Sequence, residues 1–166
     1  MEVTKVSQAR VQRTQTKYSD LDAEAQKVID AAWQAGKFAW CPYLHFPVGA
    51  AILARNEQGE RKIFGGCNVM NASFPASICA EATTAVKAVS EGYRTFLQVV
   101  CIASLEEPGG APCGYCRQIL REFGKDALVY IVMDKESNVE IWTMDELLPV
   151  SFGPDQGGLL PEKKRD

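Results

Sequence analysis

A chain of 166 residues with 46% hydrophobic content can bury one core and is too short for two comfortable domains. Its net charge of −3 argues against a nucleic-acid footprint, which would need a basic stripe, and no apolar run reaches membrane-spanning length or forms a signal-peptide segment. The expected setting is cytoplasmic, with neither a membrane nor a nucleic-acid partner.

Residues 1–18 carry Lys5, Arg10, Arg13 and Lys17 among Gln, Ser and Thr, a composition that predicts a disordered tail. From residue 19 the periods alternate. Ser19 or Asp20 can cap a helix through Phe38, with Leu21, Ala25, Val28, Ile29, Ala32 and Trp33 along one face. Residues 48–53 and 63–67 read as a hairpin around Asn56-Glu57-Gln58-Gly59. A helix opening at Cys79 follows, then a buried strand over 99–103 and a second helix opening at Cys113. Strands over 128–133 and 139–143 and a short helix over 144–148 complete the domain, which is expected to end at residue 154 before a flexible tail over 155–166. Strands alternating with helices predict an α/β domain with helices on both faces of a mixed sheet.

The chemistry is concentrated at the two helix starts. Cys79-Ala80-Glu81 and Pro112-Cys113-Gly114-Tyr115-Cys116 supply three cysteines and a carboxylate in the order of the zinc nucleobase-deaminase signature, with cysteine in place of histidine. Three protein ligands leave one tetrahedral position for water, the mark of a catalytic rather than a structural zinc. A helix N-terminus carries roughly +0.5 of an elementary charge and favours thiolates, so two such termini can converge on one metal. Glu81, beside the metal without being a fourth ligand, is the natural proton shuttle between water, a ring nitrogen of the base and the departing amine. Cys41, Cys67 and Cys101 lie in apolar surroundings and read as buried free thiols. The sole histidine, His45, reads as a polar residue at a strand entrance. A non-catalytic zinc-binding interaction module would account for the cysteines and leave Glu81 unexplained.

In order along the chain, Phe46-Pro47-Val48-Gly49-Ala50-Ala51, Gly66-Cys67-Asn68, Cys79-Ala80-Glu81, Pro112-Cys113-Gly114-Tyr115-Cys116-Arg117-Gln118 and the run Leu147 to Pro154 resemble the small, three-cysteine cytidine deaminases. The resemblance implies a three-layer fold with a five-stranded mixed sheet between helices, and a homotetramer whose active sites are shared between subunits. It also implies zinc on Cys79, Cys113 and Cys116, catalysis by Glu81, and a place in pyrimidine nucleoside salvage. Phe46 and Phe152 would line the base pocket, Phe152 reaching into a neighbouring subunit, Ala80 would face the substrate, and Asn68 would hold a ribose hydroxyl.

Three positions depart from that pattern. Met70 replaces a glutamate expected to grip the sugar, Phe74 replaces a tyrosine in the same region, and Ala82 follows the catalytic glutamate where arginine is frequent. The sugar half is less polar while the base and metal half is kept. Deaminases of the antibiotic blasticidin S resemble the same family and some share that alanine, so a sugar-modified cytosine nucleoside is the alternative substrate.

Overall fold

The computed structural model describes residues 14–103, 109–133 and 138–155. The first helix, α1, spans Ala23–Gly36 and starts later than the periodicity suggests. Ser19 and Asp20 are taken up in a single 3₁₀ turn, and the cap is Asp22, whose Oδ1 accepts from the backbone N–H groups of Glu24 at 2.9 Å and Ala25 at 2.8 Å. The hairpin is formed by β2, Val48–Arg55, and β3, Arg61–Cys67. Next come α2, Ala80–Ser90, then β4, Thr95–Ala103, and α3, Gly114–Phe123. The chain closes with β5, Leu128–Val132, β6, Asn138–Thr143, and the short α4, Met144–Leu147.

The sheet has six strands rather than the five expected. The added strand is β1, Thr14–Lys17, which lies within the stretch that composition assigned to a disordered tail. None of its side chains is buried, so no apolar alternation marks it. It is held as an edge by backbone pairing with β6, Thr14 opposite Ile141, and by Gln15 Nε2 donating to Glu140 Oε1 at 3.2 Å. Residues 1–13 and 156–166, the rest of the two expected tails, lie outside the described residues.

The strand order is β1-β6-β5-β4-β2-β3, with β4 and β5 parallel and the other neighbours antiparallel. The parallel pair is the one that needs a crossover, and α3 lies within it. Successive residues of β2 point to opposite faces, so Ala51 and Leu53 pack under α1 with Val28, Ile29, Val100 and Ile102. Ile52 and Ala54 pack on the other side with Ala85, Ala88, Leu120 and Met144 from α2, α3 and α4. Helices cover both faces, as the alternation of periods predicted.

Two glycines set how closely those helices lie. A Cβ on Gly49 would stand 2.1 Å from the Ala32 carbonyl oxygen of α1, and one on Gly66 would stand 2.3 Å from Thr84 Oγ1 of α2. Both helices therefore rest on sheet backbone, and α2 delivers its first turn, with Cys79 and Glu81, beside the start of β2 and the end of β4.

Candidate active site

Cys79 and Cys113 are the N-cap residues of α2 and α3, both with extended backbone, and neither side chain is spent on capping its helix. Cys116 follows within the first turn of α3 and is buried, whereas Cys79 is half-buried and Cys113 exposed. The three sulfurs lie within 4.8 Å of one another. Tetrahedral zinc with Zn–S of about 2.3 Å wants sulfurs about 3.8 Å apart, and an all-thiolate donor set suits zinc by its softness. The cluster therefore fits the ion expected from the spacing.

Protons are shared unequally among these thiols. The hydrogen bond from Cys116 holds Cys79 down to about 7, even though burial acts in the opposite direction. That bond, followed by burial, pushes Cys116 up.

Glu81, in the first turn of α2, is only 4% exposed. Its Oε2 lies 3.5 Å from Cys116 Sγ, and its Oε1 accepts from Cys101 Sγ at 3.3 Å. A carboxylate thus stands against the sulfur cluster at the floor of a cleft of about 290 Å³. The cleft is lined by Phe46, Asn68, Met70 and Ala80 among the residues singled out from the sequence, together with Val48, Cys101 and Ala103.

Asn68 spends its side chain on the backbone that frames this cleft. Its Oδ1 accepts from Val48 N–H and its Nδ2 donates to the Phe46 carbonyl, each at 2.9 Å. It thereby pins Phe46 at the entrance to β2. The Met70 N–H donates to the Trp40 carbonyl at 2.7 Å, and Val69 bridges Trp40 on one side and Ile78 on the other. These short bridges hold two loops together as one wall of the cleft.

Phe74 and Phe152 are not brought into the cleft of a single chain. Phe74 is 59% exposed and meets Tyr43 edge to face, with ring centroids 5.9 Å apart. Phe152 is 64% exposed and is carried on a segment strapped to α3. In that strap the buried Arg121 donates to Ser151 Oγ at 2.9 Å and to Asp155 Oδ1 at 2.7 Å, while Gln118 Nε2 donates to the Phe152 carbonyl at 3.1 Å. Asp155, placed by composition in the flexible tail, is part of the folded body.

Ala82 is buried and brings no charge to the cluster. The Arg117 guanidinium is turned to carbonyls, donating to Pro112 O and Leu147 O at 2.7 Å each. It braces the loop that enters Cys113. His45, exposed and with φ of 51°, stands outside the sulfur cluster. Cys41 and Cys67 are half-exposed rather than buried, and Cys101, which is buried, touches Glu81, a contact that sequence reasoning did not find.

Residues 22–132 match the family model of the cytidine and deoxycytidylate deaminase zinc-binding region. The chain is 44% identical over 143 residues to a probable cytidine deaminase of Dictyostelium discoideum, covering 86% of this chain and 92% of the relative. It is 37% identical to a cytidine deaminase of Sporosarcina psychrophila over 80% of this chain and 93% of the relative. Among solved structures it resembles cytidine deaminase from Burkholderia pseudomallei, with a TM-score of 0.67, 36% identity, and coverage of 80% of this chain and all (100%) of the other.

Proposed function

Because the chain belongs to the cytidine and deoxycytidylate deaminase family, we propose that it hydrolyses the exocyclic amine of cytidine- or deoxycytidine-type nucleosides, consuming water and releasing ammonia and the uridine-type product. The observation that carries this reading is the buried Glu81 carboxylate set against Cys116 at the floor of the cleft. A zinc-binding interaction module has no use for that carboxylate.

Zinc held by Cys79, Cys113 and Cys116 supplies a Lewis acid that makes water nucleophilic near neutral pH. The chain's own residues do the rest. Glu81 takes one proton from the attacking water and gives it to ring N3, then takes the second from the resulting C4 hydroxyl and delivers it to the amine as it leaves, so that the C4 carbonyl forms. Phe46, Val48 and Ala103 offer apolar walls to a flat base, and Ala80 keeps the space beside Glu81 open. Asn68 acts by fixing the Phe46 and Val48 backbone, which spends one acceptor and one donor of its amide and leaves one of each that a ribose hydroxyl could use. Met70, a weak acceptor with no donor, makes the sugar end apolar, so the sugar is where this enzyme's preference departs from that of ordinary cytidine deaminases.

The exposed aromatic side chains Phe38, Trp40, Phe74, Tyr115 and Phe152 support assembly into a homotetramer in which Phe152 completes a neighbour's base pocket. The thiols of all six cysteines are free, which suits a reducing compartment such as the cytoplasm. Among the described residues no helix is long and apolar enough to cross a membrane.

Ammonia release from cytidine, deoxycytidine, cytosine and blasticidin S tests the reaction and its substrate together. Glu81→Gln is expected to retain zinc while turnover falls by at least ~10². Undiminished turnover in the zinc-loaded Gln variant would defeat the proposal.

A further inference from the structure

Cys101 sits on β4 opposite Ala50 of β2 and Ile131 of β5, is 1% exposed, and lines the cleft. Its thiol donates to Glu81 Oε1 at 3.3 Å, and Glu81 Oε2 lies 3.5 Å from Cys116 Sγ. The carboxylate is therefore flanked by one sulfur at each oxygen, but the two sulfurs differ in kind. Cys116 belongs to the metal cluster, and a ligating thiolate has no proton to give. Cys101 is kept as a thiol, first by burial and then by the negative charge of Glu81 itself.

A thiol carries one donor hydrogen, and this one is directed at Oε1. The terminal torsion of a glutamate is broad and roughly two-fold, so a carboxylate without such a contact can exchange its two oxygens. We propose that Cys101 is a positioning residue for proton transfer: its S–H holds Glu81 through Oε1 and leaves Oε2, on the Cys116 side, as the oxygen that carries protons. The inference rests on the reading of Glu81 as the shuttle. It concerns a side chain that neither the zinc signature nor the base pocket requires.

The test compares Cys101→Ala with Cys101→Ser in the zinc-loaded enzyme, with cytidine as substrate and zinc content measured in each. The alanine variant is expected to lose about tenfold in kcat with little change in KM, the scale of one hydrogen bond to a charged group, and the serine variant, which keeps a donor, to recover most of that loss. The second readout is independent of turnover. The S–H stretching band of Cys101, identified in Raman spectra by its absence from Cys101→Ser, is expected to move to higher frequency in Glu81→Gln, where an anionic acceptor is replaced by a neutral amide. Wild-type kcat in zinc-loaded Cys101→Ala, equal losses in the alanine and serine variants, or a band indifferent to Glu81→Gln would each overturn the positioning role. Turnover by zinc-loaded Glu81→Gln would instead overturn the shuttle assignment on which it rests.

Discussion

Gly66 of β3 and Thr84 of α2 meet so closely that any Cβ at position 66 would fall 2.3 Å from Thr84 Oγ1 and 2.9 Å from the Thr84 backbone nitrogen. The Thr84 hydroxyl is itself committed, donating to the Ala80 carbonyl at 2.7 Å. The helix that presents Cys79 and Glu81 is thus seated on bare backbone. Gly66→Ala is expected to lift α2 and destabilise the fold by about 1–3 kcal/mol, the usual scale of overpacking. Because the lifted end carries Cys79, zinc affinity should fall as well. Denaturant unfolding and a competitive zinc titration measure the two effects, and a variant with unchanged zinc affinity would show that the first turn of α2 is positioned by something else.

The metal assignment is checked by stoichiometry. The wild-type chain should hold about one zinc, and alanine at Cys79, Cys113 or Cys116 should remove it, because three thiolates are the minimum for a site that keeps one position open. Cys41→Ala and Cys67→Ala should leave the metal in place, since both lie outside the cluster. Loss of zinc from either of those two, with retention in Cys113→Ala, would require a different ligand set.

Much of this site was legible in the sequence because its chemistry is local. Cys79 and Glu81 are two residues apart, Cys113 and Cys116 three, and each pair sits at the start of an amphipathic run, so the helix starts could be read along with the ligands. What escaped notice depends on contacts that leave no periodic trace. β1 buries none of its side chains and is held by backbone pairing. The side chain of Asn68 is tied to backbone groups twenty or more positions away in the chain, at Val48 and Phe46. Cys101 alternates with apolar neighbours on β4, and nothing in that run indicates that its inward face ends on Glu81. The start of α1 was displaced because Ser19, Asp20 and Asp22 are all plausible caps and only backbone geometry separates them.

The strap that carries Phe152 has a pH dependence with a definite sign. Lys125, and after it Arg121, hold Asp155 down to about 2 from an ordinary 3.8. A depressed carboxylate pKa stabilises the folded strap above the ordinary value, and that contribution fades as pH falls through about 2. Protection of the amides of Ser151, Phe152, Gly153 and Asp155 should therefore persist at pH 4. Asp155→Asn removes the charge that faces both the exposed Lys125 and the buried Arg121, so it should speed the hydrogen exchange of those amides at pH 7 and lower the melting temperature. Unchanged exchange in Asp155→Asn would mean that Ser151 and Gln118 alone suffice to fasten the strap.

The last prediction concerns the sugar end of the cleft. Met70 lines the cleft beside Asn68 and Ser77, with its backbone held by Trp40, so a side chain placed there has a fixed origin from which to reach a bound nucleoside. A thioether donates no hydrogen bond and accepts only weakly, and Phe74, turned outward against Tyr43, offers the same chain's cleft no hydroxyl. Cytidine should accordingly lose little when its 3′-hydroxyl is removed. Met70→Glu places a carboxylate at that wall and should raise discrimination in favour of the hydroxyl by roughly 1.5–3 kcal/mol, the worth of a hydrogen bond to a charged group. The effect should appear in kcat/KM for cytidine against 3′-deoxycytidine, because a gripping group acts through the transition-state complex as well as through ground-state binding. A wild-type enzyme that already rejects 3′-deoxycytidine strongly would show that the remaining capacity of Asn68, or a neighbouring subunit, grips the sugar, and Met70 would then be a silent replacement in an ordinary cytidine deaminase.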